Sequence, residues 1–426
     1  MKTRSFLRFG TPCLEHPPAP GERGPAERLA AGGPVTLLHP RPAEARAVPA
    51  VKLGDAVKAG QPLALYGGPD YVTAPVAGQI AALRPVSGSF GRSSTAVTIE
   101  PAADPADDEG FAGVSAAPTL AGALAFLAQV PGRPRLERLA DPERPIRTLV
   151  VNAADADLMV YTNQHALVSR IGHVRSGIRV LKQLTGIEDV VILARSEVVQ
   201  GHGELGAHIR TVDHRYPSAL PPLVMARLFG KIVPAGRNPE DLGVCFMGAE
   251  AVASIGEAFD TGRVPVFKTL TVTGRDGRPR MVAAPIGTAV GRVLAKLGVS
   301  PAAGDRVVLG GPMRGDAVHS LEHPIEPDTD ALLLLDAARA AAVSDYPCTN
   351  CGECVRVCPA RMQVNLLVCY LEAQKFEEAE EAYDLHACIE CGLCSYVCVA
   401  RIPIVQHITL AKHELARIRR AEGTNG

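Results

Sequence analysis

The chain contains no tryptophan, and its ten Phe and eight Tyr make aromatics only 4% of its 426 residues. Stacking platforms for bases are therefore scarce. An excess of one charge is lacking as well: 44 Lys+Arg stand against 45 Asp+Glu. Without a basic field, no nucleic-acid partner is expected. Long apolar runs are missing too. The nearest approach, Ala331 to Val343, is broken by Asp336 and Arg339, so no transmembrane span is expected. Met1 to Gly10 carries charges but no apolar leader core. The expectation is a cytoplasmic protein with no span of its own, able to lie on a membrane complex. The 12 histidines are scattered without metal-ligand spacing. Outside the C-terminal region the cysteines are only Cys13 and Cys245, which excludes a disulfide framework.

What the chain does have is concentrated at its C-terminal end. Eight of the eleven cysteines form two copies of C-x2-C-x2-C-x3-C: Cys348, Cys351, Cys354, Cys358 and Cys388, Cys391, Cys394, Cys398. Soft, anionic thiolates suit the iron of a cluster, and this spacing is the ligand run of two-cluster ferredoxins. There, three cysteines of one run and the last of the other hold each [4Fe–4S] cube. The cross-over assigns Cys348, Cys351, Cys354 and Cys398 to one cluster, and Cys388, Cys391, Cys394 and Cys358 to the other. Structural zinc instead joins two separated C-x2-C pairs around one ion, which fits three cysteines in seven residues poorly. Gly352 and Gly392 stand where each loop turns sharply. Pro359 follows the first run, whereas Val399 stands in the second, so a local change of turn is expected there. Between the runs, Met362 to Phe376 and Glu377 to Leu385 read as helices. Cys369, on the first of these, reads as a buried structural thiol.

Length allows three or four domains, and the pattern predicts a multidomain α+β chain. Residues 1–33, rich in Pro and Gly, read as an extended N-terminal arm. Residues 34–104 read as a barrel-sandwich hybrid, from the turns G-D-A-V-K-A-G-Q within Val51 to Leu65 and A-P-V-A-G within Thr73 to Ile80. Lipoyl and biotinyl domains share those turns but modify a lysine between them. Leu63 to Gly78 contains none, which leaves a docking or packing module. Residues 115–260 read as a Rossmann-like α/β domain, with strands at Thr148 to Asn152 and Asp189 to Ala194 and one long helix from Asn163 to Thr185. Gly201 to Gly206 matches G-x-G-x-x-G, but a polar stretch precedes it and a short strand, Ala207 to His214, follows, so it reads as a loop. Residues 264–342 read as an SLBB-like β-grasp module ending in the tight turn Gly310-Gly311-Pro312-Met313. Residues 343–426 read as a helical dicluster ferredoxin domain. Its last helix, Val405 to Arg420, carries Lys412, Arg417, Arg419 and Arg420, read as a solvated basic end or a contact for a membrane protein or anionic lipid.

In this order the modules resemble the RnfC family, a component of the Rnf electron-transport complex, the membrane-bound ferredoxin:NAD oxidoreductase. The likeness covers nearly the whole chain: His16 to Pro18, the paired barrel turns, Tyr216-Pro217, G-G-P-M, both cysteine runs, and Pro403 to Gln406. The NqrA component of the sodium-translocating NADH:quinone reductase shares the front modules but lacks the clusters. The resemblance implies electron exchange with NAD(H) through FMN, carried by a glycine-rich loop and an acidic motif. Neither motif is here. Residues 115–140 hold a helix-like run, and Asn152 to Met159 places Asp155 and Asp157 where A-E-C-E-P-Y is expected; they read either as shifted substitutes for that motif or, more cautiously, as solvated loop residues. Cluster ligands are therefore carried over, and FMN and NADH residues are not.

The leading reading is an iron–sulfur electron-transfer subunit of an Rnf-like membrane-associated complex, with two [4Fe–4S] clusters and no FMN of its own. Its expected partners are other proteins of the complex and a redox donor or acceptor protein, at the cytoplasmic face of the inner membrane. The alternatives are a flavin-containing NADH/ferredoxin oxidoreductase with a diverged FMN site, and a non-catalytic iron–sulfur docking scaffold.

Overall fold

The computed structural model describes residues 13–16, 24–42, 48–88, 93–199, 205–338, 340, 342–344 and 346–424. The fold is multidomain and mixes α and β, in line with the sequence reading. Most of the N-terminal arm, and the Gly201–Gly206 string up to Glu204, lie outside the described residues.

An antiparallel sheet comes first in the chain, in the order Val35–Pro40, Ser93–Pro101, Gly78–Ser87, Ala56–Val57. Its strands alternate: Val35, Leu37 and His39 point inward while Thr36 and Leu38 are half-buried. Ile80, Val97 and Ile99 complete this core with Leu65.

The second layer is a wholly parallel sheet in the order His208–Thr211, Asp189–Ala194, Thr148–Asn152, Val244–Gly248. Its central strands are buried on both faces, which is why they read as unbroken apolar runs. Leu149, Val151 and Ile192 face the helices Ile171–Thr185 and Ala249–Thr261. Val150, Val191 and Leu193 face Pro221–Leu228. The first two helices cross at Gly177 and Gly256, where a Cβ would lie 2.0 Å from the Val252 carbonyl oxygen and 1.9 Å from that of His173. Only glycine permits that approach. The helix expected to run unbroken from Asn163 is two, Thr162–Ser169 and Ile171–Thr185, parted at Arg170, whose guanidinium turns to pair with Glu257.

The third unit is a six-stranded mixed sheet, ordered Glu27–Arg28, Pro279–Pro285, Phe267–Thr273, Ala331–Leu335, Arg306–Leu309, Asp316–Ala317. Its edge strand comes from the N-terminal arm, which pairs parallel to Pro279–Pro285. The chain ends in five helices: Glu353–Val357, Val364–Glu372, Phe376–Tyr383, Leu393–Val397 and Ile404–Thr424. Leu367, Val368, Leu371, Ile404, Ile408 and Leu415 form their core. Among the described residues, no helix is long and apolar enough to cross a membrane.

Candidate functional site: two cysteine cradles

The two cysteine runs repeat at an offset of forty positions, and their backbones repeat with them. Asn350 and Glu390 both sit at φ 54°, Gly352 and Gly392 at φ 75° and 76°, Arg361 and Arg401 at φ 56° and 57°. Each glycine opens a one-turn helix, Glu353–Val357 or Leu393–Val397, and each helix stops at the fourth cysteine in extended geometry, Cys358 or Cys398. Left-handed backbone at the glycine and at the residue two positions earlier curls each loop back on itself. The change of turn expected at Val399 does not occur. Cys398 has φ −61° and ψ 116° against −68° and 115° at Cys358, because the proline's φ is one a valine adopts freely.

A cavity is lined by Cys348, Cys351, Cys354 and Cys398 together with Thr349, Gly352, Asn365 and Val399. Cys358 keeps company instead with the second run, acting electrostatically on Cys388, Cys391 and Cys394. Both groupings carry the fourth cysteine across from the other run. Among the described residues, no three His, Cys, Asp or Glu side chains converge as the ligands of one metal ion would. The first grouping reaches the surface at the exposed Cys351, whereas Cys391 and Cys394 of the second are buried. Burial pushes the Cys354 and Cys391 thiols up to about 11, and Cys394 higher still. Binding iron at these sulfurs therefore means giving up protons. Backbone N–H groups already point at sulfur: Glu390 N donates to Cys388 Sγ and Ile402 N to Cys398 Sγ, each at 3.4 Å.

The backbone of the second run is held from three separate parts of the chain. Tyr216 Oη donates to the Cys391 carbonyl at 2.5 Å, Arg314 Nε to that of Glu390 at 3.3 Å, and Lys412 Nζ to that of Cys388 at 2.8 Å. Burial first, then Asp157, raises the Tyr216 hydroxyl, so it keeps the proton it donates. Tyr216, Leu220, Met313, Leu158 and Leu14 close over Cys391 and Leu393. Lys412 is thus no part of a free basic helix end, and Arg417 and Arg419 pair with Glu414 and Glu380.

Three sequence readings need correction. Cys369 is exposed, on the outer side of its helix, within hydrogen-bonding reach of Cys348. Asp155 and Asp157 are 3% and 7% exposed and belong to no solvated loop. Asp155 accepts from Asn163 N, Asn163 Nδ2 and Gln164 N at 2.9–3.1 Å, capping the helix Thr162–Ser169. Asp157 accepts from Met313 N and Arg314 N and so fixes the G-G-P-M turn.

The carboxyl edge of the parallel sheet is where α/β folds place ligands, at the point where strand order reverses. Here that point lies between Asn152 and Gly248, and Asn163 fills it. Asn163 Oδ1 would stand 2.4 Å from a Cβ on Gly248, and it accepts from Glu250 N at 3.2 Å. Behind it the fully buried Lys268 pairs with Glu250 and, at 2.8 Å, with Asp330. Sequence reasoning missed this cluster, although a lysine inside the apolar strand V-F-K-T-L-T-V was its visible signal.

The class defined by fold and site is a multidomain α/β chain ending in a repeated run of four cysteines. The chain belongs to the RnfC-like family, the C components of ion-translocating oxidoreductase complexes. It is 33% identical over 299 residues to the RnfC-type protein of Pseudomonas aeruginosa, a match covering 68% of this chain and 38% of the relative. The Klebsiella pneumoniae counterpart is 31% identical over 304 residues, covering 68% and 40%. The matched region thus spans well under half the length of these relatives. No family model matches the chain. Among solved structures it is similar to a chain of an NAD+-reducing [NiFe]-hydrogenase, at 15% identity and a TM-score of 0.45, covering 74% of this chain and 67% of that one. A likeness that distant carries no inference.

Proposed function

We propose that the chain is an iron–sulfur electron-transfer subunit of an Rnf-like membrane-associated redox complex, relaying single electrons through two [4Fe–4S] clusters and carrying no flavin of its own. The observation behind this reading is the grouping of thiols. Cys348, Cys351 and Cys354 stand with Cys398, and Cys388, Cys391 and Cys394 stand with Cys358. Thiolate-held clusters supply one-electron chemistry. The chain's part is to aim the sulfurs, to donate N–H groups to them, to shield the second set from water and to leave the first at the surface for exchange.

The flavin-free part of the reading rests on the sheet's carboxyl edge. Asp155, Asp330 and the Glu250 backbone gather there around Asn163, and the N–H groups of Asn163, Gln164 and Glu250 are used internally. A flavin phosphate needs unspent N–H groups and free positive charge; here the Lys268 ammonium is spent on Glu250 and Asp330, and the Arg195 guanidinium on the Ala154 and Asp213 carbonyls. We read residues 34–104 as a barrel-sandwich docking module, 115–260 as the Rossmann-like domain and 264–342 as the β-grasp module. The partners in this reading are other proteins of the complex and a one-electron donor or acceptor protein, met at the cytoplasmic face of the membrane.

Anaerobically purified protein tests this through iron, acid-labile sulfide and released flavin, with spectra before and after NADH. About eight iron and eight sulfide per chain are expected, with no flavin and no NADH response. One FMN that NADH reduces would restore the flavoprotein reading. Zinc in place of iron would end the cluster reading itself.

A further inference from the structure

The two runs share one backbone but not one setting. At the residue just before the second cysteine, φ 54° in both, the first run has Asn350 and the second Glu390. Asn350 accepts from the neutral Asn365 amide at 2.7 Å. Glu390 pairs at 2.6 Å with Lys412, whose ammonium also donates to the Cys388 carbonyl at 2.8 Å. The Lys412 side chain is only 18% exposed, so solvent screens its charge little.

These facts matter because the second run is the more buried. Reduction adds one negative charge to a thiolate-held cluster, and burial alone disfavours that charge. A nearby cation favours it.

We propose that Lys412 is a positioning residue of the second run. It anchors the Cys388 carbonyl, and its charge holds up the reduction potential of the cluster bound by Cys388, Cys391, Cys394 and Cys358, leaving the other cluster untouched. This rests on the two-cluster reading above, extending it to how the chain makes two like sites unlike.

The test is a redox titration of the full-length, anaerobically purified chain followed by electron paramagnetic resonance, preceded by iron and sulfide analysis. Cys391→Ala identifies the second run's wave as the one it abolishes. Lys412→Met is expected to shift that wave alone to lower potential, and Lys412→Arg to restore it. Glu390→Gln, which leaves the ammonium unopposed, is expected to shift the same wave upward. If Lys412→Met loses iron, the Glu390→Gln shift decides. Unmoved waves in an iron-replete variant, or both waves moving together, would overturn the proposal. Wild-type protein without two cluster signals would fail the parent reading, a different and separately visible result.

Discussion

Lys268 has no exposed surface, and its two carboxylate partners come from different elements, Glu250 from the helix Ala249–Thr261 and Asp330 from just before the strand Ala331–Leu335. Removing the ammonium strands the fully buried Glu250 carboxylate without water, whereas Asp330 keeps some exposure. Lys268→Met is therefore expected to cost about 3–5 kcal/mol in denaturant unfolding. Loss of the Lys182–Glu188 pair, where Glu188 is 80% exposed, should fall under about 1 kcal/mol. Tyr216→Phe removes one neutral hydrogen bond and should cost about 1 kcal/mol. Asp155 gives a pH signature. Burial first, and Asp330 second, push its carboxyl up to about 7, against the hydrogen bonds from Asn163 and Gln164. A carboxyl raised in the fold stabilises fully below its unfolded value of ~4, and that contribution is lost as pH rises through about 7. Asp155→Asn should flatten the stability profile over that window in chemical denaturation. At this scale the sequence was partly legible. The eight thiols announced themselves by spacing, but Asp155 and Asp157 looked solvated because their burial depends on Asn163 and Met313, contacts that spacing does not reveal.

Elements were more legible than side chains. The strands Thr148–Asn152 and Asp189–Ala194 have the bounds their apolar runs predict, because a strand buried on both faces leaves no polar residue in its interior. The split helix was not legible. Ser169, Arg170 and Ile171 include no glycine or proline, and Arg170, at the break, reaches across to Glu257 on the helix packed alongside. The cysteine loops carry a prediction of their own. With each fourth thiol crossing over, Cys398→Ala should remove the cluster signal of the first run and Cys358→Ala that of the second, each lowering iron from about eight to about four per chain. Signals lost from the same run as the mutated residue would show that the cross-over is wrong. The measurement is iron analysis with electron paramagnetic resonance on both variants.

For the whole molecule, order along the chain was readable from turn motifs and strand patterns, and the mixed α/β architecture followed. The packing of units on one another was not, since no local pattern says that Glu27–Arg28 joins the edge of a sheet whose other strands lie far along the chain, beginning at Phe267. Nor does one announce that the tyrosine of Tyr216-Pro217 reaches Cys391. That last contact has a mechanical meaning. The second cysteine loop is gripped by Tyr216 from the α/β unit, by Arg314 from beside the mixed sheet and by Lys412 from the last helix. Whatever stiffens this loop acts as a rivet through three layers, so iron should be felt far from sulfur. The loaded chain should melt as one body in calorimetry. The chelated chain should come apart in stages, its C-terminal helices becoming open to proteolysis before the sheets do.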